Sequence, residues 1–202
     1  MMGKSVVFTM VMLIASWSNA HATEHYVIDT KGMHAFIAFK VKHLGYSWLE
    51  GHFNRFTGSF DFDRENSANN KVRVEIDVAS IDSNHAERDK HLRSERYFDT
   101  GKFPKASFVS TSWTDLGNAQ AILKGKFTLR GITKSIAIEV KEIGHGADPW
   151  GGYRRGFEGK TELKLSDYHM RESQILGHAA ENIRIWISVE GIREAQIPKI
   201  LD

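Results

Sequence analysis

The chain has 202 residues, of which 41% are hydrophobic and 26% charged, a composition that is ordinary for a folded globular protein. The 27 lysines and arginines nearly balance the 25 acidic residues, and the formal charge of +2 gives no basic field of the kind that a nucleic-acid binder uses. The absence of cysteine excludes disulfides, cysteine-based zinc sites and thiol catalysis.

The N-terminus is predicted to be a secretory signal peptide. A short basic start is followed by an apolar run at 6–15, VVFTMVMLIA, which is too short to cross a bilayer. The sequence AHA at 20–22 then supplies a small-residue cleavage site. We expect cleavage after Ala22, which leaves residues 23–202 as a single domain exported to the periplasm, with no further segment apolar enough to span a membrane.

Alternation of apolar and polar residues predicts eight β-strands after a short opening run at 26–28. The predicted strands lie at 35–42, 56–62, 72–78, 106–110, 121–129, 136–140, 157–165 and 183–189. Connectors rich in Gly, Asn and Asp are predicted at 65–70, 115–118 and 144–152. Eight strands with little helix favour a sandwich or a closed barrel, and a closed barrel of this size is either filled or holds one small ligand.

Seven side chains in the apolar phase of these strands are predicted to point into the barrel and to contact a ligand there. They are Ile37, Phe39, Val41, Phe60, Phe108, Phe127 and Ile185. His43 continues the same phase and is predicted to approach the interior at a strand end, before an aromatic loop, LGYSW, at 44–48. This histidine is either a structural residue beneath a packed loop or a polar anchor at the mouth of an apolar cavity.

One short helix is predicted over His85–Ser94. Asn84 is its expected N-cap, with Glu87 three residues later. The adjacent Arg88 and Asp89 lie on its inward side, which is unusually polar for a face turned toward a core. Either this pair holds the helix against the barrel rim, or Asp89 orients Arg88 to bind the phosphate of a ligand head group.

No catalytic or metal-binding motif occurs in the sequence. It contains no G-x-S-x-G, no P-loop, no dinucleotide fingerprint, no H-E-x-x-H and no calcium loop. No metal and no cofactor is therefore predicted. Histidines that come together from distant strands leave a metal site, and hence a hydrolase, as an open alternative.

Several segments together cover nearly all of the predicted mature chain and point to one family. They are YVID at 26–29, HAFIAFKVKH at 34–43, LGYSWLEGHF at 44–53, GSFDFD at 58–63, NHAERDKHLRSERYFDTGKFPKASFVSTS at 84–112, FTLRGITKSI at 127–136 and DPWGGYRRGFEG at 148–159. The sequence resembles the YceI-like proteins in these segments, and the one at 84–112 is the most specific.

The resemblance implies an all-β protein, a lipocalin-like antiparallel eight-stranded β-barrel with one short α-helix. It further implies an elongated apolar cavity for a polyisoprenoid or another long-chain amphiphile, a periplasmic location, no enzymatic chemistry and a homodimer. The leading hypothesis is therefore a periplasmic lipid-binding protein. Two alternatives are a stress-related structural protein with a filled core and a histidine-dependent enzyme that acts on a bound lipid.

Overall fold

The computed structural model describes residues 23–170 and 180–194, so the predicted signal peptide lies outside the described residues. The described residues contain one helix, α1, at Ala86–Arg93. They also contain eleven strands: β1 Glu24–Ile28, β2 Ala35–His43, β3 Ser47–Phe53, β4 Phe56–Phe62, β5 Lys71–Asp77, β6 Ile81–Asp82, β7 Lys105–Gly117, β8 Gln120–Leu129, β9 Ile132–Ala147, β10 Tyr153–Lys164 and β11 Asn182–Arg193. Short 3-10 turns lie at Ser67–Asn69, Val78–Ser80 and Leu165–Tyr168. Within these residues, no helix is both long enough and apolar enough to span a bilayer.

Eight of the strands close into an antiparallel barrel in the order β1-β4-β5-β7-β8-β9-β10-β11, and β1 pairs back with β11. Strand β11 is long enough to pair with two strands on one side, because its end pairs with β1 while residues 183–189 pair with β2. From β2 the wall continues through β3 and β6. The predicted fold, an all-β eight-stranded barrel with one short helix, is confirmed. The closed ring includes β1, which corresponds to the short opening run, whereas β2 lies outside the ring.

Strand β3 is absent from the sequence prediction, which placed a loop at 44–48. The loop is a tight turn, and β3 begins at Ser47. The inward face of β3 carries Gly51 between two larger residues, so its apolar alternation is weak. A glycine is required there because the ring of Phe39 occupies the space that a Cβ atom would fill.

Strand β9 continues to Ala147, well past the predicted end at residue 140. A bulge shifts its register, because Glu142 pairs with Phe157 while Gly144 pairs with Gly156. The extra residue reverses the side-chain phase and hides the strand from a search for alternation. The predicted connector at 144–152 is correspondingly shorter in the structure.

The cap of α1 also differs from the prediction. The helix begins after His85, whose Nδ1 accepts a hydrogen bond from the backbone N–H of Arg88 at 3.2 Å. Asn84 lies one residue earlier with a positive φ of 61°, and its own N–H donates to Asp82. Asn84 therefore forms the turn into the helix and does not cap it.

Candidate ligand-binding cavity

An apolar cavity of about 460 Å³ occupies the interior of the barrel. Its lining is made almost entirely of aliphatic and aromatic side chains from the inward face of the strands. Eight of the predicted site residues line it: Ile37, Phe39, Val41, Phe60, Arg88, Phe108, Phe127 and Ile185. The barrel is thus hollow, and this contradicts the alternative of a filled core.

His43 is not among the residues that line the cavity, contrary to the prediction from its phase. The pairing of β2 with β11 ends at Val41, which lies opposite Ile183. Beyond that point β2 pairs only with β3, and His43 lies opposite Ser47. The strand has left the barrel wall there, so its inward phase no longer points to the interior.

Aromatic rings form the floor of the cavity at the end where β10 begins. The ring centroids of Trp113 and Phe157 are 5.8 Å apart, and that of Phe62 is 6.1 Å from Trp113 and 5.8 Å from Phe157. Beneath them, the guanidinium of the buried Arg155 lies 4.1 Å from the ring centroid of Phe62. These contacts close the floor with a cation–π pair.

The charge of Arg155 is compensated within the floor. Its Nη1 donates to Glu142 at 2.6 Å, and its Nε donates to the hydroxyl of Tyr26 at 3.3 Å. Burial raises the pKa of Tyr26 to about 12. The sequence does indicate that Arg155 points inward, because it alternates along β10 with Phe157 and Gly159.

The opposite end of the cavity, which we call its mouth, carries most of the polar residues that line it. Ser83 and several side chains of the α1 region lie there: His85, Glu87, Arg88 and His91. Arg130, in the β8–β9 turn, donates to the carbonyl groups of Glu95 and His169. Arg130 thereby joins the segment after α1 to the residue that follows the 3-10 turn at Leu165–Tyr168.

Arg88 is held at the mouth through Ser83. Its Nε donates to Ser83 Oγ at 2.7 Å and its Nη2 to the Ser83 carbonyl at 2.5 Å. The buried Asp89 accepts from the same Oγ at 2.5 Å and from the Ser83 N–H at 2.9 Å. The Ser83 hydroxyl therefore links Asp89 to Arg88.

A second polar cluster, which the sequence reasoning missed, joins the β1–β2 and β9–β10 connections. Arg154 donates to Asp29 at 2.8 Å, to Asp148 at 2.9 Å and to Glu190. The hydrogen bond from His34 lowers the pKa of Asp29 to about 2, and Arg154 adds to the effect against the influence of burial. Asp29, His34 and Glu190 each have an atom that could bind a metal ion, and these atoms lie within 4.8 Å of one another. The cation that lies among them is the Arg154 guanidinium, which donates to Asp29 and Glu190.

An antiparallel barrel with one apolar cavity, closed at the floor and polar at the mouth, defines a lipocalin-like barrel with an internal site of ligand size. Residues 26–191 match the YceI-like domain. The chain belongs to this family.

Relatives and solved structures agree with this assignment. The chain is 49% identical over 175 residues to a UPF0312 protein of Shewanella sp. strain ANA-3, which covers 87% of this chain and 91% of that protein. Burkholderia cenocepacia BcnA has the same fold, with a TM-score of 0.72 and 22% identity over 81% of this chain and 98% of that one. A polyisoprenoid binding domain from Saccharophagus degradans, implicated in plant cell wall breakdown, matches with a TM-score of 0.60 and 13% identity over 84% of this chain and 98% of that one.

Proposed function

We propose that the protein binds a polyisoprenoid or a similar long amphiphilic lipid in the barrel cavity, without catalysis. The observation that carries the proposal is the almost wholly apolar lining of the cavity inside the barrel. Burial of a hydrocarbon chain there is favourable by about 25 cal/mol for each Å² removed from water. The polyisoprenoid binding domain of Saccharophagus degradans, which shares the fold, supports this class of ligand.

The proposal places the protein in the periplasm, after removal of residues 1–22 as a signal peptide. The support for this step is the sequence itself, namely the basic start, the short apolar run and the AHA site at 20–22. The homodimer implied by the family resemblance stays a prediction.

The lipid is proposed to enter tail first, with its head group at the mouth. The floor offers aromatic rings, whereas the mouth offers Arg88 and the polar side chains around it. An anionic head group needs hydrogen-bond donors and positive charge, and the Arg88 guanidinium supplies both. Because His43 does not line the cavity, Arg88 carries the head-group proposal.

A histidine-dependent enzyme remains the competing prediction. His91 lines the mouth and is the residue whose loss should abolish turnover if a bound lipid is converted. An assay that follows the mass of a bound prenyl lipid over time decides the question. Our proposal expects the lipid to be recovered unchanged from both the wild-type protein and His91→Ala.

Two neighbouring positions on β10 provide the direct test of the binding site. Leu163 lines the cavity, whereas Glu162 is exposed on the outer face of the same strand. We expect Leu163→Trp to occupy ligand space and to weaken binding of a fluorescent polyprenyl alcohol by about tenfold or more, since even about 1.4 kcal/mol of lost contact has this effect. Glu162→Trp should bind normally, and equal binding by both variants would place the site elsewhere.

A further inference from the structure

The turn between β2 and β3 exposes bulky apolar side chains in an unusual backbone. The N–H of Tyr46 donates to the carbonyl of His43 at 2.9 Å, so Leu44 and Gly45 are the central residues of a β-turn within the three-residue loop 44–46. Both have positive φ, 51° and 83°. Such turns favour Asn-Gly or Asp-Gly, and a leucine in this conformation is strained.

Within the part of the chain that the structure describes, Leu44 remains about half exposed despite this strain. Leu44 is 47% exposed and Tyr46 is 89% exposed, so the turn presents an aliphatic and an aromatic side chain to the outside. An exposed apolar pair on a strained turn is best explained by a contact beyond the chain itself.

Cations surround the tryptophan that follows. The Nζ atoms of Lys40 and Lys42 lie 5.4 and 5.5 Å from the ring centroid of Trp48, and the guanidinium of Arg184 lies 5.0 Å from it. Residues 40–48, KVKHLGYSW, contain two lysines and a histidine but no acidic residue.

Two of these cations are matched by acids, and one is not. Lys40 pairs with Glu50 at 2.5 Å, and Arg184 pairs with Glu162 at 3.5 Å. Lys42 has no acidic partner within residues 23–170 and 180–194, the part of the chain that the structure describes. The turn therefore carries a net positive charge beside its apolar tip.

The turn also adjoins the mouth of the cavity. Val41 and Leu49, which flank the turn and lie opposite each other on β2 and β3, both line the cavity. A surface that contacts this turn would thus lie next to the entrance through which a ligand reaches the barrel.

We infer that residues 42–48, the docking turn, contact the surface of an anionic phospholipid bilayer. Leu44 and Tyr46 would enter the interface between head groups and acyl chains, where aromatic side chains are enriched, while Lys42 would attract the anionic head groups. The inference rests on the proposed function, because the bilayer is where a prenyl lipid is taken up or released.

Trp150, at the opposite end of the barrel, supplies a matched control. Trp150 is 76% exposed there, but the neighbouring cation, Arg154, is surrounded by Asp29, Asp148 and Glu190. An acidic cluster repels an anionic surface, so exposure of Trp150 alone should not bring about docking.

The test is flotation of the mature protein with phosphatidylcholine vesicles, prepared with and without phosphatidylglycerol. We expect binding only when phosphatidylglycerol is present, and weaker binding as salt is added. Lys42→Glu should weaken binding by about tenfold or more, because it replaces a cation with an anion at an anionic surface. Tyr46→Ser should weaken it to a similar extent, because it removes the aromatic side chain that enters the interface. Trp150→Ser should bind as the wild type does.

Four outcomes would overturn the inference: no vesicle binding, binding that does not depend on phosphatidylglycerol, an equal loss in Trp150→Ser, or a turn that mediates only self-association in sedimentation. Binding of a soluble fluorescent polyprenyl alcohol, measured without vesicles, separates this inference from the proposed function. If Tyr46→Ser binds that probe normally but no longer binds the vesicles, both the proposed function and the docking turn are supported. If the wild type binds vesicles but not the probe, the proposed function fails while the docking turn remains.

Discussion

The guanidinium of Arg155 lies 4.1 Å from the ring centroid of Phe62, so a buried cation supports the aromatic floor of an otherwise apolar cavity. Glu142 and the hydroxyl of Tyr26 accept its hydrogen bonds, so the charge of Arg155 is compensated. This arrangement closes one end of the barrel and leaves the end at α1 as the entrance.

We expect Arg155→Met to destabilise the protein by about 3 kcal/mol, because Glu142 then loses the buried guanidinium that pairs with it. Urea denaturation followed by circular dichroism measures the change. Lys160→Met is the matched control, since Lys160 is an exposed residue of the same strand and pairs loosely with Glu158 at 3.7 Å. Equal stability of the two variants would show that Arg155 does not support the floor.

Trp113→Ala should deepen the cavity and shift the bound lipids toward longer chains. Trp113 lines the cavity and packs against Phe62 and Phe157, so its removal opens space where the lipid tail ends. Mass spectrometry of lipids extracted from the purified variant reports their chain lengths. Trp186→Ala, which removes a tryptophan from the outer face of β11, should leave the chain lengths as in the wild type. The same distribution in all three proteins would contradict the assignment of the floor.

Arg88→Ala distinguishes a head-group role from a purely structural one. If Arg88 binds the head group, its loss should weaken a polyprenyl pyrophosphate by roughly 1.5–3 kcal/mol, the scale of a hydrogen bond to a charged group, and leave a neutral prenyl chain nearly unaffected. Isothermal titration with both ligands, together with the melting temperature, gives the answer. An equal loss for both ligands with a lowered melting temperature would mean that Arg88 only holds α1 in place through Ser83.

Asp29→Asn should destabilise the protein at neutral pH by about 1–3 kcal/mol, because the ionised carboxylate accepts hydrogen bonds from His34, Arg154 and Gly32. The pKa of Asp29 is lowered to about 2 in the folded protein and is near 4 in an unfolded chain, so its contribution is present above about pH 4 and is lost as the pH falls to about 2. The difference in unfolding free energy between wild type and variant should therefore shrink over that interval.

Urea denaturation at several pH values measures this difference. Asp167→Asn is the control, because Asp167 is exposed and should show little difference from the wild type at any pH. A destabilisation by Asp29→Asn that stays constant down to pH 2 would contradict the lowered pKa.

The sequence predicted much of the cavity wall because most wall strands alternate regularly. Phe108 and Phe127 lie opposite each other on β7 and β8 and line the cavity, as their phase indicated. Prediction failed where the alternation of side chains along a strand does not indicate which of them face the cavity. His43 follows the point at which β2 leaves β11, and β3 has only Gly51 at the centre of its inward face.

The floor and the Arg154 cluster were missed for a different reason. Asp29 and Arg154 are 125 residues apart, and Tyr26 and Arg155 are 129 apart. No local pattern encodes such partners, because they meet only when β1 closes the barrel against β11 and lies beside the start of β10.

The central claim is that the barrel holds a long prenyl lipid, and native mass spectrometry of protein purified without delipidation tests it most directly. We expect a complex of one lipid per chain, with tandem fragmentation that releases a species built of repeating isoprene units. A protein that carries no lipid and fails to take up an added polyprenyl alcohol or polyprenyl pyrophosphate would contradict the claim.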